Sequence, residues 1–162
     1  TPLNYVKAVN DAVKGAGGIV LQFPFYAGIM GIMTGTVAEG GPSLAGVISN
    51  FFVAISNNVT FPLFTFLSAG IVNFFVPSGG GQWAVQAPIV LPATIKMNLD
   101  PAVSCMAIAW GDAWTNLLQP FWALPALGIA GLGARDIMGF CVVDLILSGI
   151  IVCVTFVVVG LI

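Results

Sequence analysis

The sequence predicts an all-α integral membrane protein, a helical bundle interrupted by a re-entrant helical hairpin and a broken transmembrane helix. Three observations predict it. Hydrophobic residues make up 59% and charged residues 6% of the 162 residues, with a mean hydropathy of +1.07, which leaves too little polar surface to coat a soluble globule. Most of the charges fall in short gaps between apolar runs, where loops between spans would lie. Two apolar stretches contain material that an unbroken membrane helix does not accommodate, "FVPSGGGQWAVQAP" (75–88) and "GDAWTN" (111–116).

The run "IVLQFPFYAGIMGIMTGTVA" (19–38) carries no charge and has the ~20 residues needed to cross ~30 Å of hydrocarbon, so it is read as the first span. Pro24, near its start, is tolerable in a first helical turn, and "EGGP" (39–42) ends the run. "SLAGVISNFFVAISNN" (43–58) is short for a crossing and polar at both ends, which suits a lateral or interfacial helix. "FPLFTFLSAGIVNFFV" (61–76), roughly 24 Å as a helix, is followed at once by three glycines, and "QWAVQAPIVLPATI" (82–95) then gives roughly 21 Å more. Neither arm comfortably spans alone. The pair 61–95 reads as a hairpin with its tip inside the membrane, or else as one interrupted crossing. Irregular backbone at that depth survives only under cover of protein or beside a water-filled cavity.

The stretch 101–133 would reach about 50 Å as one helix and must break, with "GDAWTN" as the expected place and Pro120 and Pro125 shaping the second half. "IMGFCVVDLILSGIIVCVTFVVVGLI" (137–162) is a full span interrupted chiefly by Asp144, whose expected position is toward the bundle. Orientation stays open. A hairpin sets Lys7, Lys14 and Arg135 against Lys96, whereas an interrupted crossing sets Lys7, Lys14 and Lys96 against Arg135. Arg135 and Asp136 read as a loop pair. The chain starts at Thr1 and carries no signal-peptide pattern in its first eighteen residues, so it is expected to be a piece of something longer.

The two breaks carry the chemistry, because paired discontinuous helices are the best sequence pointer to a transporter's site. At the first, a helix starting near Gln82 leaves backbone N–H groups without partners, and Gly79, Gly80 and Gly81 let that backbone approach a ligand closely. An anion fits there, with Ser78 and Gln82 as further donors. At the second, Asp112 lies in an apolar run where an ionised residue costs about 2.5–3.5 kcal/mol at a helix centre. Either a Na⁺ held by Asp112 with Asn116, Thr115 and freed carbonyls, or a proton, would justify it; a plain N-cap role for Asp112 is the alternative. Trp83 and Trp114 adjoin the breaks and read either as walls of an apolar cavity or as simple packing, while tryptophans in general, Trp110 and Trp122 included, also mark membrane interfaces.

Other chemistries are excluded or weak. The sequence has no histidine, so a Ser–His–Asp arrangement is impossible, and Cys105, Cys141 and Cys153 lie singly in apolar runs as small hydrophobes. A Ser78–Lys96 dyad would need residues at different membrane depths to meet. "GGGQ" lacks the lysine and hydroxyl residue of a P-loop. With no basic run, nucleic-acid binding has no electrostatic footing.

"VNFFVPSGGGQWAVQAPIVLPA", "AWGDAWTNLLQPFWALPALGIAGLGARDIMG" and "GGIVLQFPFYAGIMGIM" together resemble the short-chain fatty acid transporter family of bacterial inner membranes, matching its C-terminal part. The resemblance implies membership of the ion-transporter superfamily, multi-pass proteins of the cell membrane built from two inverted repeats. This chain would then be one repeat, with 78–82 as the hairpin tip facing the broken-helix loop 111–116. It implies butyrate- or acetoacetate-like substrates, cation-coupled symport by alternating access, no enzymatic activity, and as partners the lipid bilayer, the missing half of the transporter and a possible second copy of the chain. An anion-conducting channel or a structural membrane subunit is the alternative, since re-entrant loops also build filters.

Overall fold

Proline and short polar caps set most of the helix starts. In the computed structural model, residues 1–36 and 40–161 are described, apart from the side chains at 15, 16, 18, 19, 23, 120 and 121, and the described chain contains helices and turns with no strand. Helix α1 (Pro2–Thr34) opens with Pro2 in its first turn; α2 (Leu44–Ile55) is capped by the Ser43 hydroxyl, which accepts from Gly46 N at 3.1 Å. Helix α3 (Phe61–Asn73) is followed by a short loop and α4 (Gly79–Lys96), capped in turn by Ser78. Helix α5 (Pro101–Thr115) starts under the Asp100 carboxylate, which accepts from Ala102 N at 2.8 Å. Two short 3-10 turns, Asn116–Leu118 and Pro120–Ala123, lead into α6 (Leu124–Ala130), and α7 (Ala134–Leu161) ends the described chain. Among the described residues, α7 is the one helix long and apolar enough to cross a membrane.

Helix α3 is the hub, buried around nearly its whole circumference, as a helix packed on all sides must be. Three apolar clusters surround it. Val72 and Val76 meet Met33 of α1 and Ala45 of α2. Phe61 and Ala69 meet Val90 of α4 and Ile108 of α5, while Phe66 packs with Ala107 of α5 and Phe156 of α7. Helices α3 and α4 run antiparallel, since Ser68 bonds Gln86 near the loop and Phe61 meets Val90 farther from it. Helix α5 runs alongside α3 in the same sense. Its Gly111 lies so close that a β-carbon there would stand 2.5 Å from both Ala69 Cβ and the Phe66 carbonyl oxygen. Only glycine permits this approach.

Four expectations are corrected. The helix around the expected first span begins at Pro2, where proline suits a first turn, and carries an Asp11–Lys14 pair at 3.0 Å; Pro24 is consequently interior, not in a first turn. Residues 37 and 38 of that expected span and Glu39 of its "EGGP" stop lie outside the described residues. The glycines Gly79–Gly81 form the first turn of α4 instead of an unwound tip, and the loop is 74–78, held by fully buried Val76. Helix α5 continues through Gly111 and Asp112, so Asp112 caps nothing. Gly111 is kept helical by its packing on α3, and the break falls at 116–123, where Gln119 adopts an extended conformation (φ −111°, ψ 94°) before the donorless Pro120. Finally, Asp144 is exposed on α7, most of which stands clear of the other helices.

The α3–α5 contact predicts a clear hierarchy. Gly111→Ala should destabilise the complete polypeptide by roughly 1–3 kcal/mol, as overpacking does, and Gly111→Val by more. Thermal unfolding in detergent reads this as a lowered Tm, and unchanged unfolding would refute the close approach.

Candidate functional site

The two interruptions in the chain meet. Asn73, the last residue of α3, is fully buried and aims its side-chain amide at the end of α5. Its Nδ2 lies 2.8 Å from the Asp112 carbonyl oxygen, 3.0 Å from Thr115 Oγ1 and 3.1 Å from Asn116 Oδ1, so two N–H hydrogens serve three acceptors. The Thr115 hydroxyl returns the link by donating to the Gly70 carbonyl at 2.9 Å. From the other arm of the hairpin, a β-carbon placed on Gly79 would stand 3.8 Å from Asp112 Oδ2. The first turn of α4 and the Asp112 carboxylate are therefore neighbours.

Behind this junction runs a buried polar chain. Gln82 Nε2 donates to the Ala69 carbonyl and to Gln86 Oε1, both at 2.9 Å, and Gln86 Nε2 reaches the hydroxyls of Ser49 at 3.1 Å and Ser68 at 3.2 Å. Gln82 and Gln86 are wholly buried. Asn73 Oδ1, Gln82 Oε1 and Asp112 Oδ1 nonetheless find no donor among the described residues, and Gln119 Nε2 finds no acceptor. Each such orphan costs about 1–3 kcal/mol, more if charged, which makes a local concentration of them informative. Three are oxygens contributed by both arms of the hairpin and by α5. Oxygens of carboxylate and amide type are the kind of ligand that hard cations take.

At the N-terminus of α4, Gly81 N is directed at the Ser78 hydroxyl (3.4 Å) and Gln82 N at the Ser78 carbonyl (2.8 Å), while Gly79 and Gly80 are exposed. Nothing stands within 4 Å of a β-carbon position on Gly80. The end of this 18-residue helix thus offers backbone donors and a partial positive charge to an anion from an open side.

Of the residues read from the sequence, the junction brings together Asp112, Thr115 and Asn116, with Gly79 beside them and Ser78 and Gln82 supporting. Trp83 lies elsewhere, on the outer face of α4 with Ala87, Pro88 and Leu91. Trp114 belongs to the core, packed on Phe66 at a 4.8 Å centroid distance with the rings tilted by 34°, and with its indole N–H on the Leu145 carbonyl at 2.8 Å. Sequence reading missed Asn73, Gln86 and Gln119. Their available signal was a lone amide inside an apolar run, or directly before a proline. A cavity of about 340 Å³ opens beside the junction, lined by Pro77, Ala113, Asn116, Leu117, Gln119 and Trp122. A larger one, about 410 Å³, lies at the opposite end of α5 beside Asp100 and Ser104; no orphaned polar atom faces it, so the smaller cavity is the better ligand candidate.

Two interrupted helical elements meeting over unsatisfied polar atoms are the pattern from which helical membrane transporters build their sites. The chain belongs to the short-chain fatty acid transporter family, whose model matches residues 1–159. It is 50% identical over 93% of its length to an Escherichia coli protein and 49% identical over 91% to one from Haemophilus influenzae, both carrying the name "Putative short-chain fatty acid transporter". The chain spans about a third of the length of these relatives, 33% and 32% respectively. No solved structure matches it. The family is one of transporters, not enzymes.

Asn73→Leu, which keeps the bulk of the side chain and removes its amide, should free the end of α5. Hydrogen exchange at the backbone amides of residues 112–118 is expected to accelerate by at least tenfold; unaltered protection would show that the bridge does not hold the break.

Proposed function

We propose that the complete polypeptide containing this chain is a secondary transporter that carries short-chain monocarboxylates of the butyrate or acetoacetate type across the bacterial inner membrane, coupled to Na⁺ or H⁺. The observation that carries this reading is the meeting of the α4 N-terminus with Asp112, whose Oδ1 is one of three unpartnered oxygens on α3, α4 and α5. Helices α3 and α4 act as a re-entrant hairpin and α5 with its following turns as a broken crossing, and the remainder of the relatives' length supplies the other inverted repeat of a multi-pass transporter.

The parts divide the work. The exposed N–H groups of Gly79 and Gly80 receive the carboxylate, with Ser78 holding the turn in shape. Asp112 and Asn116, joined by Asn73 and Gln82, hold the cation. Two negative charges about 4 Å apart repel by roughly 4 kcal/mol at an effective dielectric near 20. A substrate carboxylate therefore approaches Gly79 favourably only once Asp112 has been neutralised, and that dependence is symport coupling in its simplest form. The described basic side chains are on α1 (Lys7, Lys14), at the C-terminal end of α4 (Lys96) and at the start of α7 (Arg135), and none of them makes the junction's hydrogen bonds or lines its cavity. Backbone donors grip an anion less tenaciously than a guanidinium fork, which favours release.

Butyrate uptake into proteoliposomes holding the complete protein is expected to saturate and to require a cation gradient. Gly80→Val, in open space, and Asp112→Asn should each lower uptake at least tenfold while leaving the protein folded. Linear, ungated flux untouched by either change would replace the transporter with a channel.

A further inference from the structure

We infer that the cavity beside the helix break is the subsite for the substrate's acyl chain and that Gln119 donates a hydrogen bond to the bound acid there; this rests on the transport reading above and assigns the part of the site that determines which acid is carried. The cavity begins at Pro77, two residues before Gly79, and continues along Ala113, Leu117 and Trp122. A carboxylate at the α4 N-terminus would leave its tail facing these walls. Most of the lining is apolar. At about 340 Å³ it falls at the lower end of the ~300–1,000 Å³ typical of small-ligand pockets, the size class of a few-carbon acid.

Two features show that the walls are built rather than incidental. The indole N–H of Trp122 donates to the Asn116 carbonyl at 2.9 Å, which fixes the ring as a flat side of the cavity and ties it to a residue that also meets Asn73. Gln119 is 7% exposed, stands between the two short turns, and leaves its Nε2 without an acceptor among the described residues. An oxygen of the ligand supplies that acceptor.

The decisive variant is Gln119→Leu, which keeps volume and removes the donor. With no acceptor to lose, the ligand-free protein should unfold at the same temperature or higher, while the butyrate-induced rise in unfolding temperature disappears and the KM for butyrate uptake increases at least tenfold. A Gln119 that merely supports the fold would give the reverse, a lowered unfolding temperature with KM unchanged, and that result overturns the assignment. Independently, Trp122→Ala, which widens the cavity, should move the ratio of hexanoate to butyrate uptake at least fivefold toward hexanoate, and Ala113→Leu, which fills it, should move the ratio the other way. Wild-type uptake of butyrate with ratios unaltered in both variants would refute the acyl-chain subsite alone. A wild-type protein that takes up neither acid would instead refute the transport reading.

Discussion

The close approach of α3 and α5 at Gly111 is the constraint on which the rest of the arrangement depends. A β-carbon at Gly111 would push the helices apart, and with them the short hydrogen bonds from Asn73 to the last turn of α5. Those bonds are spaced at 2.8–3.1 Å and tolerate little separation. Gly70, one turn before Asn73, serves the same purpose from the other side, with the ring of Trp114 and the methyl of Thr115 about 3.1 Å from where its β-carbon would stand. Small residues at a helix interface, with polar groups bonding across it, are how membrane helices associate where apolar burial supplies no drive.

Around this contact the polar side chains sort into two populations. Ser49, Ser68, Thr94, Ser104 and Gln86 are buried and paired, and they knit α2, α3, α4 and α5 together. Asn73, Gln82, Asp112 and Gln119 each keep one atom unmatched. The first population makes the scaffold specific, and the second concentrates unsatisfied capacity around the interruption in α5.

The architecture was legible in the sequence to the extent that it followed from composition and length. Apolar runs too short or too long for a bilayer announced the interruptions at 74–78 and after α5, and the ends of those runs placed the starts of α2, α3 and α5 to within a residue. What sequence reading misplaced were the glycines. It treated Gly79–Gly81 and Gly111 as breakers, since glycine weakens helices by propensity. Tertiary contact decided otherwise: Gly111 is helical because α3 presses on it, and the three glycines are helical because Ser78 caps them and Val76 anchors the loop before them. The true break was signalled by Gln119–Pro120, a pair that restricts the backbone by sterics alone. Asn73 was invisible as a bridge because nothing local distinguishes it; its importance arises from a partner about forty positions away.

The glycine turn of α4 has a mechanical consequence. Three glycines in succession weaken a helical turn by about 3 kcal/mol relative to alanine, and the turn lies outside the packed interior, held by one hydroxyl. Helix α4 therefore has a compliant first turn joined to a stiff body, in which Gln82, Gln86 and Val90 are locked. Strain arriving at the junction will be absorbed in that turn before it reaches the rest of the hairpin, so opening and closing there can be frequent while the bundle keeps its shape.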